Sequence, residues 1–253
     1  MAGCAGQRAH LGASLIAGQG MAANETPVPR AMGLLLGFNA GYVDTAGFLA
    51  LGGLFTAHVT GNFVTLGAAL IHGSAGAISK LLALPVFCVV VLLTRCASSA
   101  LIARQRAPMR WLIAAKVLLL AVAAWLMLYF GPFDDGDVPP AFTAGMLMVA
   151  AMAVQNAMQR MHLGQLPPST LMTGNTTQVM VDLADLLRGV PAQDRQASMA
   201  RLRKMLPAIG IFTLGCALAA LAYVAAGMWC FALPPLAALG TMAVAGPGEL
   251  AQR

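Results

Sequence analysis

The sequence predicts an all-α integral membrane protein with about six transmembrane helices and two re-entrant half-helices, arranged as two internal repeats of inverted topology. Three observations predict it. Of the 253 residues, 59% are hydrophobic and only 9% charged, where a soluble domain carries about 25% charged residues; the mean hydropathy is +0.77. Six stretches are apolar over a length near the roughly 20 residues that a spanning helix needs. The tripeptide Thr-Gly-Asn occurs twice, at 60–62 and 173–175, each time just before a helical-looking run.

Residues 1–29 stand apart from this pattern. They are Gly- and Ala-rich, end in Pro27-Val28-Pro29, and hold an apolar run at 11–17 that is too short to span. They read as a disordered leader, or as an over-long start ahead of Met21 or Met32, and a signal peptide is the alternative. The apolar stretches are 31–53, 81–103, 111–131, 141–161, 204–227 and 228–246. The third is the clearest, with Trp111 and Tyr129 placed as interface anchors. The last is the weakest, because Pro234-Pro235 must kink or break a helix there.

The chain is internally repetitive. Asp44 aligns with Asn156 at an offset of 112, and Thr60-Gly61-Asn62 aligns with Thr173-Gly174-Asn175 at 113. Leu84-Pro85 and Leu206-Pro207 then open the next apolar helix of each half, and Cys96-Ala97 stands opposite Cys216-Ala217. Shared order as well as shared residues argues for duplication over chance similarity. The repeats cover 30–131 and 141–246 within one membrane domain.

Basic residues decide how the Thr-Gly-Asn segments run. If both cross the bilayer, each half has four spans and the halves are parallel. If both dip and return, each half has three, and an odd number inverts the second half. With re-entrant segments and the N-terminus inside, one face collects Arg30, Arg104, Arg106, Arg110, Arg160, Arg188, Arg195, Arg201, Arg203 and Lys204. The other keeps Lys80 and the acidic turn with Asp134, Asp135 and Asp137. Cytoplasmic loops carry the excess of Lys and Arg, so the re-entrant arrangement is expected, with both termini cytoplasmic. Crossing segments would put Arg104–Arg110 and Arg195–Lys204 on opposite faces.

Chemistry agrees with this. The run after the second tripeptide carries Asp182 and Asp185, and a carboxylate at mid-bilayer costs about 2.5–3.5 kcal/mol even on insertion scales. A segment that starts deep and climbs back would bring both to the interface. Thr60, Gly61, Asn62 and Thr173, Gly174, Asn175 would then sit near the midplane at two half-helix N-termini, where Thr or Asn caps and Gly permits close approach. Two such termini entering from opposite faces are a recurring design of substrate sites in inverted-repeat transporters. The alternative is a pair of packed helix starts with no solute between them.

The first span adds Asp44, with Asn39 five residues earlier; the mate of Asp44 is Asn156, beside Gln155. An intramembrane acid marks a functional site facing a partner. Candidate partners are Thr60, Asn62 or free N–H groups of the half-helix, and the competing role is a structural cap. His58 lies near an entrance or is structural, and His72 and His162 fall at interfaces. Arg95 and Lys116 are expected to snorkel. The five cysteines show no C-x-x-C spacing, so no metal or disulfide framework is indicated. No nucleotide-binding or hydrolase motif occurs, so no cofactor is expected. The net charge of +6 reads as membrane topology, not nucleic-acid binding.

The motifs "GYVDTAGFLALGGLFTAHVTGNFVTLG" and "AVQNAMQRMHLGQLPPSTLMTGNTTQVMVDLADLL" resemble the YoaK-like bacterial membrane proteins, a family grouped by a domain of unknown function. The resemblance covers about 32–246 and departs from the family in "LPPST" before the second tripeptide. It implies a multi-spanning protein of the bacterial inner membrane and supplies no activity. Three readings of function follow from the architecture. The favoured one is a channel or secondary transporter for a small polar or anionic solute, between the two tripeptides and beside Asp44. The others are a non-transporting partner or assembly subunit and, with less support, a membrane enzyme. Besides lipid, the partners expected are that solute and, optionally, further copies of the chain.

Overall fold

The computed structural model describes residues 29–72 and 76–245; the leader lies outside them. Every regular element among the described residues is helical. In chain order they are α1 (Arg30–Ala50), α2 (Gly61–His72), α3 (Ala77–Ala103), α4 (Pro108–Phe130), α5 (Pro139–His162), α6 (Met172–Arg188), α7 (Ala192–Ala226), a 3₁₀ turn (Gly227–Ala232) and α8 (Leu233–Val244). Four helical runs are long and apolar enough to cross a membrane: Ala77–Ala103, Pro108–Phe130, Pro139–His162 and the continuous run Ala192–Val244. Six were expected. The expected first span, α1, carries Asn39 and Asp44 within its 21 residues, and these polar groups keep it out of that set. The expected last span is joined to its predecessor.

Those polar groups are tolerated because α1 is buried on nearly all sides. Leu36, Asn39, Ala40, Tyr42, Val43, Asp44 and Ala46 are all buried, so no face needs to be apolar for lipid. Its repeat mate α5 is buried in the same way, from Met148 through Val154 to Gln159. These two helices are the centre of the bundle. α1 packs on α7 and α8, and α5 packs on α3 and α4. Each central helix therefore leans on the outer helices of the other half, and α4 meets α8 between them.

The tightest crossing is made by glycine. A Cβ on Gly41 would lie 2.2 Å from the Phe212 carbonyl oxygen, and one on Gly215 would lie 2.3 Å from that of Phe38. Backbone meets backbone here, as small residues allow between membrane helices.

The first loop returns to the level it left. A Cβ on Gly76 would lie 3.6 Å from the Leu51 carbonyl oxygen, and one on Gly136 would lie 2.8 Å from it. The end of α1, the start of α3 and the α4–α5 loop therefore share one level. The α4–α5 loop also holds the start of α3 directly. Asp137 accepts from the N–H groups of Ile78 (2.9 Å) and Ser79 (2.8 Å). Burial pushes its carboxyl up, but the Ser79 hydroxyl, those N–H groups and the Lys80 charge outweigh this and leave it below the usual range.

Two expectations about proline are corrected. Leu84-Pro85 and Leu206-Pro207 do not open helices, because Pro85 and Pro207 lie inside α3 and α7. Such prolines are tolerated in membrane helices where neighbours re-satisfy the freed carbonyls. Pro234-Pro235 does not interrupt a helix either. The break is at Gly227, at φ 55°, a left-handed conformation that glycine takes without strain. The prolines then fall in the first turn of α8, where a missing N–H costs nothing.

Candidate functional site

Each half folds its returning loop onto its own central helix. Asp44 Oδ1 accepts from the backbone N–H of Thr56 (2.8 Å) and Ala57 (2.7 Å), while Oδ2 pairs with His58 Nδ1 at 2.7 Å. In the second half Asn156 Oδ1 accepts from the Thr170 hydroxyl at 2.6 Å, and its Nδ2 donates to the Met152 carbonyl. The repeat offset is preserved, but the chemistry differs: a carboxylate braced by N–H groups in one half, and an amide braced by a hydroxyl in the other. The partners expected for Asp44, Thr60 and Asn62, are not the ones it uses. It holds the loop ahead of the half-helix. Asp44 lies six residues before the end of α1, so the loop dips roughly 9 Å along the helix axis.

The tripeptides do not cap their helices with side chains. Asn62 instead turns back on Phe55, accepting its N–H and donating to its carbonyl, both at 2.8 Å. Asn175 donates to the Pro168 carbonyl at 3.0 Å. Thr60, Thr173 and Gly174 are exposed, and Gly61 is half-buried. The two tripeptides are not brought together. Among the described residues α2 packs on α3 alone and α6 on α7 alone, with no contact between α2 and α6.

Two smaller cavities replace the expected shared one. In the first half Asp44, Thr45, Phe48 and Phe55 line about 180 Å³. The repeat mates of these four, Asn156, Ala157, Arg160 and Pro168, line about 420 Å³ in the second half, together with Gln159 and with Phe87 of α3. Both cavities sit where a central helix meets its returning loop. One is acidic and the other basic.

Behind the second cavity lies a buried polar chain. Lys116 is 1% exposed and donates to Gln155 Oε1, so it does not snorkel. Gln155 Nε2 donates to the Leu36 carbonyl (3.0 Å) and to Ser169 Oγ (2.7 Å). Ser169 donates to Gln159 Oε1 from both its N–H and its hydroxyl. Gln159 Nε2 has no partner among the described residues, and neither does Asn39 Oδ1; the Nδ2 of Asn39 reaches the Pro234 carbonyl at 3.3 Å. Arg95 is exposed and near Met161, and His162 meets Ser98 at 2.9 Å. Gln159, Ser169 and Lys116 were missed as site residues. The signal was present: Gln155 and Gln159 are spaced i, i+4 on one face of an apolar helix.

A second polar lock lies outside the bundle. Asp182 on α6 is bound by Arg201 of α7, with Nη2 to Oδ1 at 2.6 Å and Nε to Oδ2 at 3.0 Å. The Arg201 guanidinium holds the Asp182 carboxyl below its usual range.

A bundle of long apolar helices, with charged and amide side chains buried against one another rather than turned outward, is a helical membrane protein. The family described as "Protein of unknown function (DUF1275)" matches residues 32–244, and the chain belongs to it, in agreement with the resemblance read from the motifs. No curated protein and no solved structure matches the chain.

Proposed function

We propose that the chain is a six-span protein of the bacterial inner membrane, built of two inverted halves with both termini cytoplasmic, that moves a small polar or anionic solute. It is not an enzyme on this reading. The observation that carries it is the pair of repeat-related cavities, each beside a polar side chain, Asp44 or Asn156, that grips a returning loop. Irregular backbone at membrane depth is tolerated where it lines a cavity or is buried in protein. The span count is supported by length. α1 has 21 residues, roughly 31 Å of helix, and the 3₁₀ turn with α8 covers roughly 30 Å. Inversion is supported by the reciprocal packing of α1 on α7 and α5 on α3. The Asp44–His58 pair supplies a group that can take up and release a proton within the first dip.

The test is flux into proteoliposomes holding the full chain, with small carboxylates, neutral polyols and protons as probes. Flux of one class, cut at least tenfold by Asp44→Asn or Arg160→Gln in protein that still unfolds cooperatively, is the expected result. No flux of any class, or flux that neither variant changes, overturns the reading. A partner-subunit role is the second reading, favoured by the outer faces of α2 and α6. Val64, Ile71 and Leu187 there are 76%, 82% and 81% exposed. It predicts a co-purifying membrane protein and no flux.

A further inference from the structure

We infer that the second cavity binds a small carboxylate with an apolar body, held by Gln159 Nε2 and the Arg160 guanidinium. The inference rests on the solute-moving reading and deepens it by naming the solute's chemistry.

The Leu36 carbonyl can only accept, so the Gln155 atom facing it is Nε2, and Oε1 is left facing the Lys116 amino group. Gln155 Nε2 therefore donates onward to Ser169 Oγ. A backbone N–H can only donate as well, so the Gln159 atom facing Ser169 N is Oε1. The Ser169 hydroxyl, already accepting from Gln155, gives its proton to the same oxygen. Every bond in Lys116 → Gln155 → Ser169 → Gln159 points the same way, and bonds so aligned polarise one another. The chain begins at a buried amino group that no carboxylate contacts among the described residues. It ends at Gln159 Nε2, a donor with no acceptor, on a residue 7% exposed.

An unmade bond at a buried donor is a cost that native proteins rarely carry without a reason. Here the residue lines a cavity of about 420 Å³, and the next residue in the chain, Arg160, lines it too. Arg160 has no ion-pair partner among the described residues. A polarised amide N–H and a guanidinium beside one cavity call for an acceptor bearing negative charge. Phe87, Val91, Leu166 and Leu171 form the rest of the wall, so the remainder of the ligand is apolar. Bare inorganic anions satisfy the first requirement but not the second.

The first half lacks this device. The repeat mates of Gln159 and Ser169 are Gly47 and Thr56; Gly47 has no side chain, and a Cβ built on it would clash with Thr56 Cγ2 at 2.9 Å. Specificity for an anion therefore belongs to the second half alone.

The carboxylate can arrive from water or as a fatty acid from the bilayer. Titration calorimetry on the purified full chain, in detergent and in nanodiscs, compares butyrate and benzoate with butyramide and benzamide, and with decanoate. The expected result is saturable carboxylate binding, at least tenfold tighter than the matching amide. Gln159→Met and Arg160→Gln are each expected to weaken it at least tenfold. Tighter decanoate binding assigns the source to lipid, and preference for butyrate or benzoate assigns it to solution. Arg160 is exposed, so its variant folds even where Gln159→Met fails. Equal binding of acid and amide, or unchanged binding by Arg160→Gln, overturns the inference. Binding without flux overturns the transport reading and leaves this one standing; flux indifferent to both residues does the reverse.

Discussion

Asn62 holds Phe55 by both ends of its peptide group, donating to the carbonyl and accepting from the N–H at 2.8 Å each. The corresponding pair in the second half, Asn175 and Pro168, shares only one bond, at 3.0 Å. The reason is covalent: Pro168 has no N–H to give. The Pro-rich approach to the second tripeptide thus loosens one clasp of an otherwise repeated device.

That difference predicts unequal costs. Asn62→Ala leaves a buried donor and a buried acceptor unpaired, and Asn175→Ala leaves one acceptor. At about 1–3 kcal/mol for each unsatisfied group, Asn62→Ala is expected to destabilise more. Thermal unfolding of the two variants in detergent checks this, and equal midpoints would count against the two-bond clasp.

The glycine crossing makes a second prediction. Gly41→Ala puts a methyl 2.2 Å from the Phe212 carbonyl, whereas a Cβ on Gly174 meets nothing within 4 Å. Overpacking of this kind costs typically about 1–3 kcal/mol or more. Gly41→Ala is expected to lower the unfolding midpoint or the yield of folded protein. Gly174→Ala is expected to leave both unchanged.

The Asp182–Arg201 pair sets a pH dependence. Arg201 lowers the Asp182 carboxyl in the folded chain, so folding favours the ionised form. The resulting stability is fully present above the ordinary carboxylate value of about 3.9 and is lost as pH falls through the lower folded value. The wild-type midpoint should therefore fall more steeply than that of Asp182→Asn as the pH drops below about 4. Parallel curves would mean that the pair contributes nothing in solution.

Topology is directly measurable. Single cysteines at Ile78 (57% exposed) and Leu187 (81% exposed), in a cysteine-free background, mark the returns of the two dips. Only the Ile78 position is expected to react with an impermeant thiol reagent on intact cells. Reaction at both, or at neither, would place the halves in parallel.

Much of the fold was legible because its signals are local. Apolar length, the tripeptides and the repeat offsets all lie along the chain, and the positions matching Asp44 and Asn156 do brace equivalent loops. What escaped depends on which helix neighbours which. Lys116 looks like a snorkelling residue until Gln155 of the next helix is seen to hold it. The tripeptides look like two walls of one site until α2 and α6 are found on separate helices. Pro85 and Pro207 look like helix starts because soluble helices rarely hold internal prolines, a rule that weakens in a membrane bundle.

Because among the described residues α2 touches only α3 and α6 only α7, each half-helix is moored along a single edge. Exposed side chains such as Val64, Ile71 and Leu187 leave the opposite edge to acyl chains. A bilayer of different thickness presses on those edges, so the setting of both half-helices is expected to follow the thickness of the membrane around them.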